Sequence, residues 1–470
     1  MTPFLLLALG MTIVLGGVIG LKLHPFLALA LAAFAIAFAT PKAALVDYAQ
    51  HHTDAQMARD KMQPDEAAVF NRKLPKTSAT KRVVAEFGSG CAKVGLVIAF
   101  AALIGKCLLD SGAAARIVMV MLSLFGEQRA GLAFLVSGFV LAIPVFFDTV
   151  FLLLVPLAVA TARRTGGNYL FYCMCIVAGG TMAHSLVPPT PGPLLVAELI
   201  DVSIGAMMVG GLGVGVLTVT FGYFYAKRAS TKFVLTPPGG GEDLFKRENL
   251  PPAFVSFLPV VLPVLLVTAG TLYSIFEPAG WAWLKVTGDK NLALGISAIV
   301  AFIILARSCQ GDRDKLRSAS TEALSSGAMI VLITAAGAAF GGVLKQTDIA
   351  AAIGGISGSA ALALPVCFLI TALVRTAQGS ATVAMITAAP VAGAFAASPD
   401  LAFHPVYLAL AVGCGSKPIP WMNDSGFWVV TKMTGMEEAQ TLRTVTPMMS
   451  LMGVFGLVVV MVASWVLPFA

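Results

Sequence analysis

The sequence has few charged residues for its length. Asp, Glu, Lys and Arg make up only 12% of its 470 residues, against about 25% in an average soluble protein. Its seven cysteines show neither metal-ligand spacing nor a disulfide pattern. These shortages exclude a disordered chain, a secreted disulfide scaffold, a nucleic-acid binder and an ordinary cytosolic enzyme.

What the chain has instead is apolar sequence. Hydrophobic residues account for 58% of it, and they gather in segments near the length of about 20 residues that spans a bilayer core as a helix. A barrel strand would alternate over only about ten residues. The segments are 3–21, 25–40, 88–109, 131–162, 169–198, 204–225, 254–276, 290–306, 322–345, 360–397, 403–432 and 446–468. The sequence therefore predicts an all-α polytopic membrane protein.

Two segments, 131–162 and 360–397, are too long for one crossing and are interrupted at 144–148 and 375–380. A helix that breaks and turns back inside the membrane is a re-entrant hairpin, whose irregular backbone must be buried in protein or line a cavity. We expect about ten spanning helices plus these two hairpins, which amounts to roughly 12–14 hydrophobic crossings.

Two further segments contain helix-breaking sequence. One includes HSLVPPTPGP (184–193) and the other GSKPIPWMNDSG (415–426). Proline removes a backbone hydrogen bond and clashes with the preceding turn, so several prolines together must unwind the helix. The sequence predicts two unwound helices at these places.

The order of these features repeats. Asp148 and Pro191 are 43 positions apart, as are Ser380 and Asn423. The predicted units are a first repeat, 1–225, a linker loop, 226–253, and a second repeat, 254–470. An odd number of crossings would invert the second repeat, which is the plan of secondary transporters with a site at the membrane midplane.

Basic residues cluster in the short gaps between apolar segments. If the hairpin 131–162 opens to the cytoplasm, sixteen Lys and Arg lie in cytoplasmic gaps and three in the opposite short gaps, which favours this orientation. The polar insert 41–87 contradicts it with further basic residues on the outer side, but long mixed-charge loops follow the rule less closely. We expect a solvated loop with some helix there.

Ionisable groups inside apolar segments are costly and are functional candidates by default. Asp148 lies in PVFFDTVF at the first hairpin's turn, with the hydroxyl of Thr149 beside it. Burial favours the neutral form of a carboxyl group, so Asp148 could carry a proton, or it could cap the returning half-helix. His184 could titrate near physiological pH or be a hydrogen-bonded structural residue.

The second hairpin turns at RTAQGSATVAM. Its small residues, such as Gly379, let backbone approach a ligand, and a half-helix N-terminus suits a carboxylate. Gln378, Ser380 and Thr382 add hydrogen-bonding side chains. Arg375 could bind a substrate carboxylate in a bidentate way or pair with a carboxylate of the protein.

The second unwound helix contains Asn423, Asp424 and Ser425. These residues either line the transport pathway or cap the next half-helix, and the two roles can coexist. Asp424 is also the protein carboxylate with which Arg375 would pair. An intramembrane aspartyl enzyme built on Asp148 and Asp424 is a weaker alternative, because FFDT and NDSG lack the glycine-aspartate setting of such proteases.

Four stretches together resemble the gluconate permease family of proton symporters, within the larger ion-transporter superfamily. They are GFVLAIPVFFDTVFLLLVPLA (138–158), HSLVPPTPGP (184–193), RTAQGSATVAMITAA (375–389) and NDSGFW (423–428). The resemblance implies uptake of gluconate or a related small hydroxy-carboxylate with protons. The chain departs from the family at Thr190 and Trp421, where a histidine is usual.

The sequence therefore predicts a proton-coupled importer of a small organic anion, not an enzyme. It would work by alternating access in a bacterial inner membrane. Arg375, Ser380 and Thr382 would bind the carboxylate, and Asp148 or Asp424 would exchange the proton. Asn423 and Thr190 would form hydrogen bonds with the hydroxyl groups of the substrate. Its partners are substrate, proton and lipid, with no cofactor, metal or nucleic acid and with a homo-oligomer left open. A passive organic-anion channel is the alternative.

Overall fold

All regular secondary structure in the described part of the chain is helical. The computed structural model describes residues 2–21, 23–57, 62–233, 235–238, 250–276, 281, 283–354, 359–398, 401–422 and 424–469. The α-helices are α1 Pro3–Leu15, α2 Pro25–Ala39, α3 Lys42–Met57, α4 Pro64–Lys73, α5 Ala79–Asp110, α6 Ala113–Phe125, α7 Ala130–Leu141, α8 Phe147–Thr165, α9 Tyr169–Leu186, α10 Pro191–Leu199, α11 Ile204–Ala229, α12 Ala253–Phe276, α13 Trp283–Thr287, α14 Lys290–Ser308, α15 Arg313–Lys345, α16 Ile349–Gly354, α17 Ser359–Gln378, α18 Ala381–Ala396, α19 Val406–Gly415, α20 Ser425–Thr434 and α21 Glu438–Val466.

The helices include many membrane spans. Within the described ranges, seven are long and apolar enough to cross a bilayer, or up to nine if two sharply bent pairs each count as one span. Shorter apolar helices, among them α18 and α19, make up broken segments. Large apolar side chains such as Leu265 and Leu369 are exposed on outward faces, as lipid contact requires. The predicted all-α polytopic fold is confirmed.

Both predicted hairpins are helix–turn–helix units. The first consists of α7 and α8, joined by a turn at 142–146, and the second of α17 and α18. Gly379 joins the second pair with φ +86°, a left-handed conformation that favours glycine. The unwound helices are also present, because the chain leaves helical geometry between α9 and α10 and again between α19 and α20.

Apart from the insert helices α3 and α4 and the short α13, several helices before and after the predicted linker pack in corresponding pairs. The long helices α5 and α15 pack against each other. In the same way α2 packs on α15 and α14 on α5, and the hairpin helices α8 and α18 pack on α20 and α10, respectively. Each hairpin therefore meets the unwound helix of the opposite half.

The boundary predicted for the polar insert needs a correction. Helix α5 begins at Ala79, with Ser78 accepting a hydrogen bond from the Lys81 backbone as its N-cap, so the last nine residues of the predicted insert 41–87 belong to a spanning helix. Arg82 lies in this extension and is buried. Its guanidinium donates to Gln346 Oε1 at 2.9 Å and to the Ala37 carbonyl at 2.6 Å. These two bonds hold a charged group that hydropathy alone places outside the helix, although its Nε has no hydrogen-bond partner among the described residues.

Close helix packing predicts different outcomes for two glycine-to-alanine changes. A Cβ on Gly179 of α9 would lie 2.1 Å from the Leu135 carbonyl oxygen of α7, whereas a Cβ on Gly213 of α11 meets nothing within 4 Å. Gly179→Ala should lower stability by about 1–3 kcal/mol through overpacking, and the matched control Gly213→Ala should be neutral or mildly stabilising. Thermal unfolding in detergent checks this, and equal melting temperatures for the two variants would contradict it.

Candidate substrate site

A cavity of about 290 Å³ lies where the hairpins and the unwound helices meet. The helices α15 and α21 close its sides. Its polar and charged lining residues are Asp148, Thr181, His184, Arg375, Ser380, Thr382, Lys417, Asp424 and Ser425. Aromatic and aliphatic side chains, including Phe147, Ile330 and Met449, supply the rest, so a few polar groups converge in an otherwise apolar pocket, as in small-molecule sites.

The N-termini of four described helices border this cavity. The first residues of α8, α10, α18 and α20 are Phe147, Pro191, Ala381 and Ser425, and all four line it. The N-terminal turn of a helix has backbone N–H groups without intrahelical partners and carries the positive end of the helix dipole. Ser380 and Asp424 already cap α18 and α20, and Pro191 and Pro193 of α10 have no N–H. The dipole ends, with the N–H groups that remain, therefore favour an anion in the centre.

Arg375 and Asp424 form a buried ion pair at one wall of the cavity. The Arg375 guanidinium also donates to the carbonyls of Gly379 and Ser416, the latter at 3.1 Å. Asp424 is at the same time the N-cap of α20, since its Oδ1 accepts from the Gly426 backbone at 2.9 Å. Of the two interpretations of Arg375, the structure contains the pairing with Asp424.

Asp148 lies in the first turn of α8 and is half-buried. Its Oδ1 faces the start of α20, at 3.5 Å from the position of a Cβ on Gly426. Helix α8 begins without a side-chain cap, and among the described residues no hydrogen bond reaches the Asp148 carboxyl group. The capping alternative for Asp148 is therefore not realised, and the group is available to the cavity.

The first unwound helix contacts the second hairpin through His184 and Thr382. Their Nε2 and Oγ1 atoms are 3.4 Å apart, and the His184 ring packs edge-on against Phe146. The Nδ1 of His184 is buried and has no hydrogen-bond partner within the described part of the chain. Ser380 accepts from the Val383 backbone at 3.3 Å as the N-cap of α18.

Not every predicted site residue reaches the cavity. Thr149, Thr190 and Gly379 are described but do not line it, and the Thr190 hydroxyl instead donates to the Val187 carbonyl at 2.8 Å. The predicted substrate contacts of Thr149 and Thr190 therefore stay predictions that the cavity lining does not include. Asn423 and the side chain of Gln378 lie outside the described residues.

The sequence analysis missed Lys417. This residue lines the cavity from the break after α19 and is only 2% exposed. Its ammonium group donates to the Thr181 carbonyl at 2.7 Å and to Ser185 Oγ at 2.5 Å. A lysine within the apolar segment 403–432 was the available signal, since intramembrane cations are functional candidates.

The two sides of the cavity differ in exposure. On one side every residue of α10 except Glu198 is buried, and Glu198 is fixed by an ion pair with Lys290. On the other side Trp421, Met422 and Trp428 around the start of α20 are exposed. The α10 side of the site is therefore enclosed by protein, and the residues around the start of α20 are more exposed.

A family model described as a GntP family permease matches residues 68–466. The chain belongs to this permease family. It is 28% identical to the Gnt-II system L-idonate transporter of Escherichia coli K12 across 99% of this chain and 100% of that relative. It is 31% identical to a gluconate permease of Pseudomonas aeruginosa, covering 84% of this chain and 89% of the relative.

The fold also has a solved counterpart. The YdaH transporter of Alcanivorax borkumensis, described as having an unusual topology, superimposes with a TM-score of 0.61 over 83% of this chain and 88% of that one, at 15% identity. Together with the spanning helices, membership of the GntP permease family makes this chain a multi-pass transporter of the bacterial inner membrane and not an enzyme.

Proposed function

We propose that this permease imports gluconate or a closely related small hydroxy-carboxylate by proton symport. The observation that carries the proposal is the convergence of four helix N-termini on one small cavity, which suits a carboxylate. The relatives named as gluconate and L-idonate transporters support the same substrate class.

The coupling proton is assigned to Asp148. It faces the cavity, and no described residue forms a hydrogen bond to its carboxyl group, so protonation would break no hydrogen bond of the described chain. Asp424 is a weaker candidate because both of its oxygens are engaged, one by Arg375 and the other by the backbone of Gly426. Ser380 and Thr382 lie beside the α18 N-terminus and would bind the substrate carboxylate.

Transport would proceed by alternating access between two halves arranged as an inverted repeat. The counterpart packing of their helices supports this plan.

The proposal predicts saturable uptake of gluconate into proteoliposomes containing the purified permease. The rate of uptake should rise when the external solution is made acidic. Gluconate should no longer accumulate inside the proteoliposomes when a protonophore is added. A screen of sugar acids, short hydroxy acids and D-amino acids, with pH and sodium varied separately, measures both specificity and coupling. Conductance without saturation would favour a passive channel, and dependence on sodium alone would contradict proton symport.

A further inference from the structure

Lys417 is the feature of the cavity that the proposed function leaves unused. Among the described residues, five ionisable side chains line the cavity, namely Asp148, His184, Arg375, Lys417 and Asp424. Arg375 and Asp424 neutralise each other within one ion pair. Their pairing leaves Lys417, Asp148 and His184 to set the charge that an incoming anion meets.

The surroundings of Lys417 hold its ammonium group without neutralising it. Its two hydrogen-bond acceptors, the Thr181 carbonyl and the Ser185 hydroxyl, are uncharged, and within the described ranges it makes no ion pair. An ammonium group has three N–H donors, so one remains for a ligand. A nearly inaccessible cation that is bonded only to neutral groups is complementary to a carboxylate.

His184 adds no charge to this balance. Its Nδ1 is buried and finds no acceptor in the described part of the chain, and its Nε2 lies beside a hydroxyl. A protonated ring would donate from both nitrogens, and a buried charged donor without a partner is costly. The neutral ring fits these surroundings.

The remaining charges link the substrate to the proton. In the empty cavity Lys417 compensates an ionised Asp148, so the net side-chain charge is zero. A monovalent anion alone would make the cavity negative, which is expensive where the dielectric constant is low. A proton on Asp148 removes that excess, and the loaded cavity is neutral again.

We propose that Lys417 binds the substrate carboxylate and that its single positive charge makes this binding conditional on a proton at Asp148. The inference rests on the proposed function and deepens it, because it names the cation of the site and the origin of the coupling. The linkage is reciprocal. Gluconate binding takes up one proton, and affinity for gluconate rises as pH falls.

Calorimetry on the purified permease tests this with gluconate as the probe. Titrations in buffers of different ionisation enthalpy give the number of protons taken up per gluconate bound. The wild type should take up about one proton, and its affinity should fall about tenfold for each pH unit above the titration of Asp148. Lys417→Gln should lose about tenfold to a hundredfold in affinity, the usual loss when a hydrogen bond to a charged group is removed.

Three further variants separate charge from structure. Lys417→Arg keeps the cation and should retain binding with proton uptake, whereas Asp148→Asn should bind gluconate with no pH dependence and no proton uptake. His184→Gln should still take up the proton. The matched control is Lys432→Gln, because Lys432 is exposed outside the cavity and pairs with Glu438, and it should bind like the wild type.

The outcomes distinguish this inference from the proposed function. If the wild type binds no gluconate, the proposed function fails. If the wild type binds with proton uptake and Lys417→Gln does the same at equal affinity, the function stands and the role of Lys417 is wrong. If Lys417→Gln does not fold, Asp148→Asn decides, since an affinity that still rises as pH falls would overturn the charge linkage.

Discussion

Asp148→Asn is expected to abolish proton-driven accumulation of gluconate while sparing exchange of gluconate across the membrane. Asparagine is neutral at every pH, as the protonated aspartate is, so the loaded cavity keeps the charge that allows it to reorient. The empty cavity differs, because Lys417 then has no carboxylate to compensate it. Only the return of the empty carrier is blocked, and net uptake requires that step whereas exchange does not.

Two assays in the same proteoliposomes check this expectation. Net uptake is driven by an acidic exterior, and counterflow is measured with unlabelled gluconate loaded inside. Asp110→Asn is the matched control, since the Asp110 carboxylate lies outside the cavity and its Oδ1 is 3.3 Å from Lys106 Nζ. This variant should leave both activities near the wild-type level. Full net uptake by Asp148→Asn would exclude Asp148 as the proton carrier.

The broken elements of the fold could be predicted from the sequence because membrane segments follow a strict rule. Backbone inside a bilayer must satisfy its own hydrogen bonds, so prolines and polar residues within apolar runs mark breaks. The turn after α7, the glycine at 379 and the prolines around 188 and 418 all carry this signal. The ends of α5 and α15 carry no such signal in the sequence. Their outer turns are polar and are held by side-chain hydrogen bonds such as that of Arg82 with Gln346.

The contacts within the site could be predicted only in part. Arg375 and Asp424 are separated by 49 positions, and sequence alone offers pairing or substrate binding for the arginine with equal chemical sense. Thr190 has the residue type of a ligand, but its hydroxyl satisfies the end of its own helix. Lys417 lies in a proline-rich break whose sequence predicts a loop. Only the three-dimensional structure shows that its side chain is buried.

The ion pair between Arg375 and Asp424 predicts the largest loss of stability. Asp424→Asn keeps an N-cap side chain for α20 but leaves the Arg375 guanidinium buried without a counter-charge. Breaking a buried pair from one side costs about 3–5 kcal/mol. Arg375→Gln should cost at least as much, because it also removes the bonds to the Gly379 and Ser416 carbonyls.

The double variant Arg375→Gln with Asp424→Asn separates charge from shape. It buries no uncompensated charge, so it should be more stable than Arg375→Gln alone, and the cycle should give a coupling energy within the 0.5–3 kcal/mol typical of residues in contact. Glu322→Gln is the control, because Glu322 pairs with Lys106 at a half-exposed position where an ion pair contributes about 0–1 kcal/mol.

Stability and binding together decide what the arginine does. If Asp424→Asn melts at the wild-type temperature and binds gluconate more tightly, Arg375 is released to the substrate and the structural interpretation is wrong. If instead Asp424→Asn is strongly destabilised and the double variant regains stability, the pair supports the wall of the cavity. Lys417 is then left as the cation that meets the substrate, because the charge of Arg375 is already taken up by the protein.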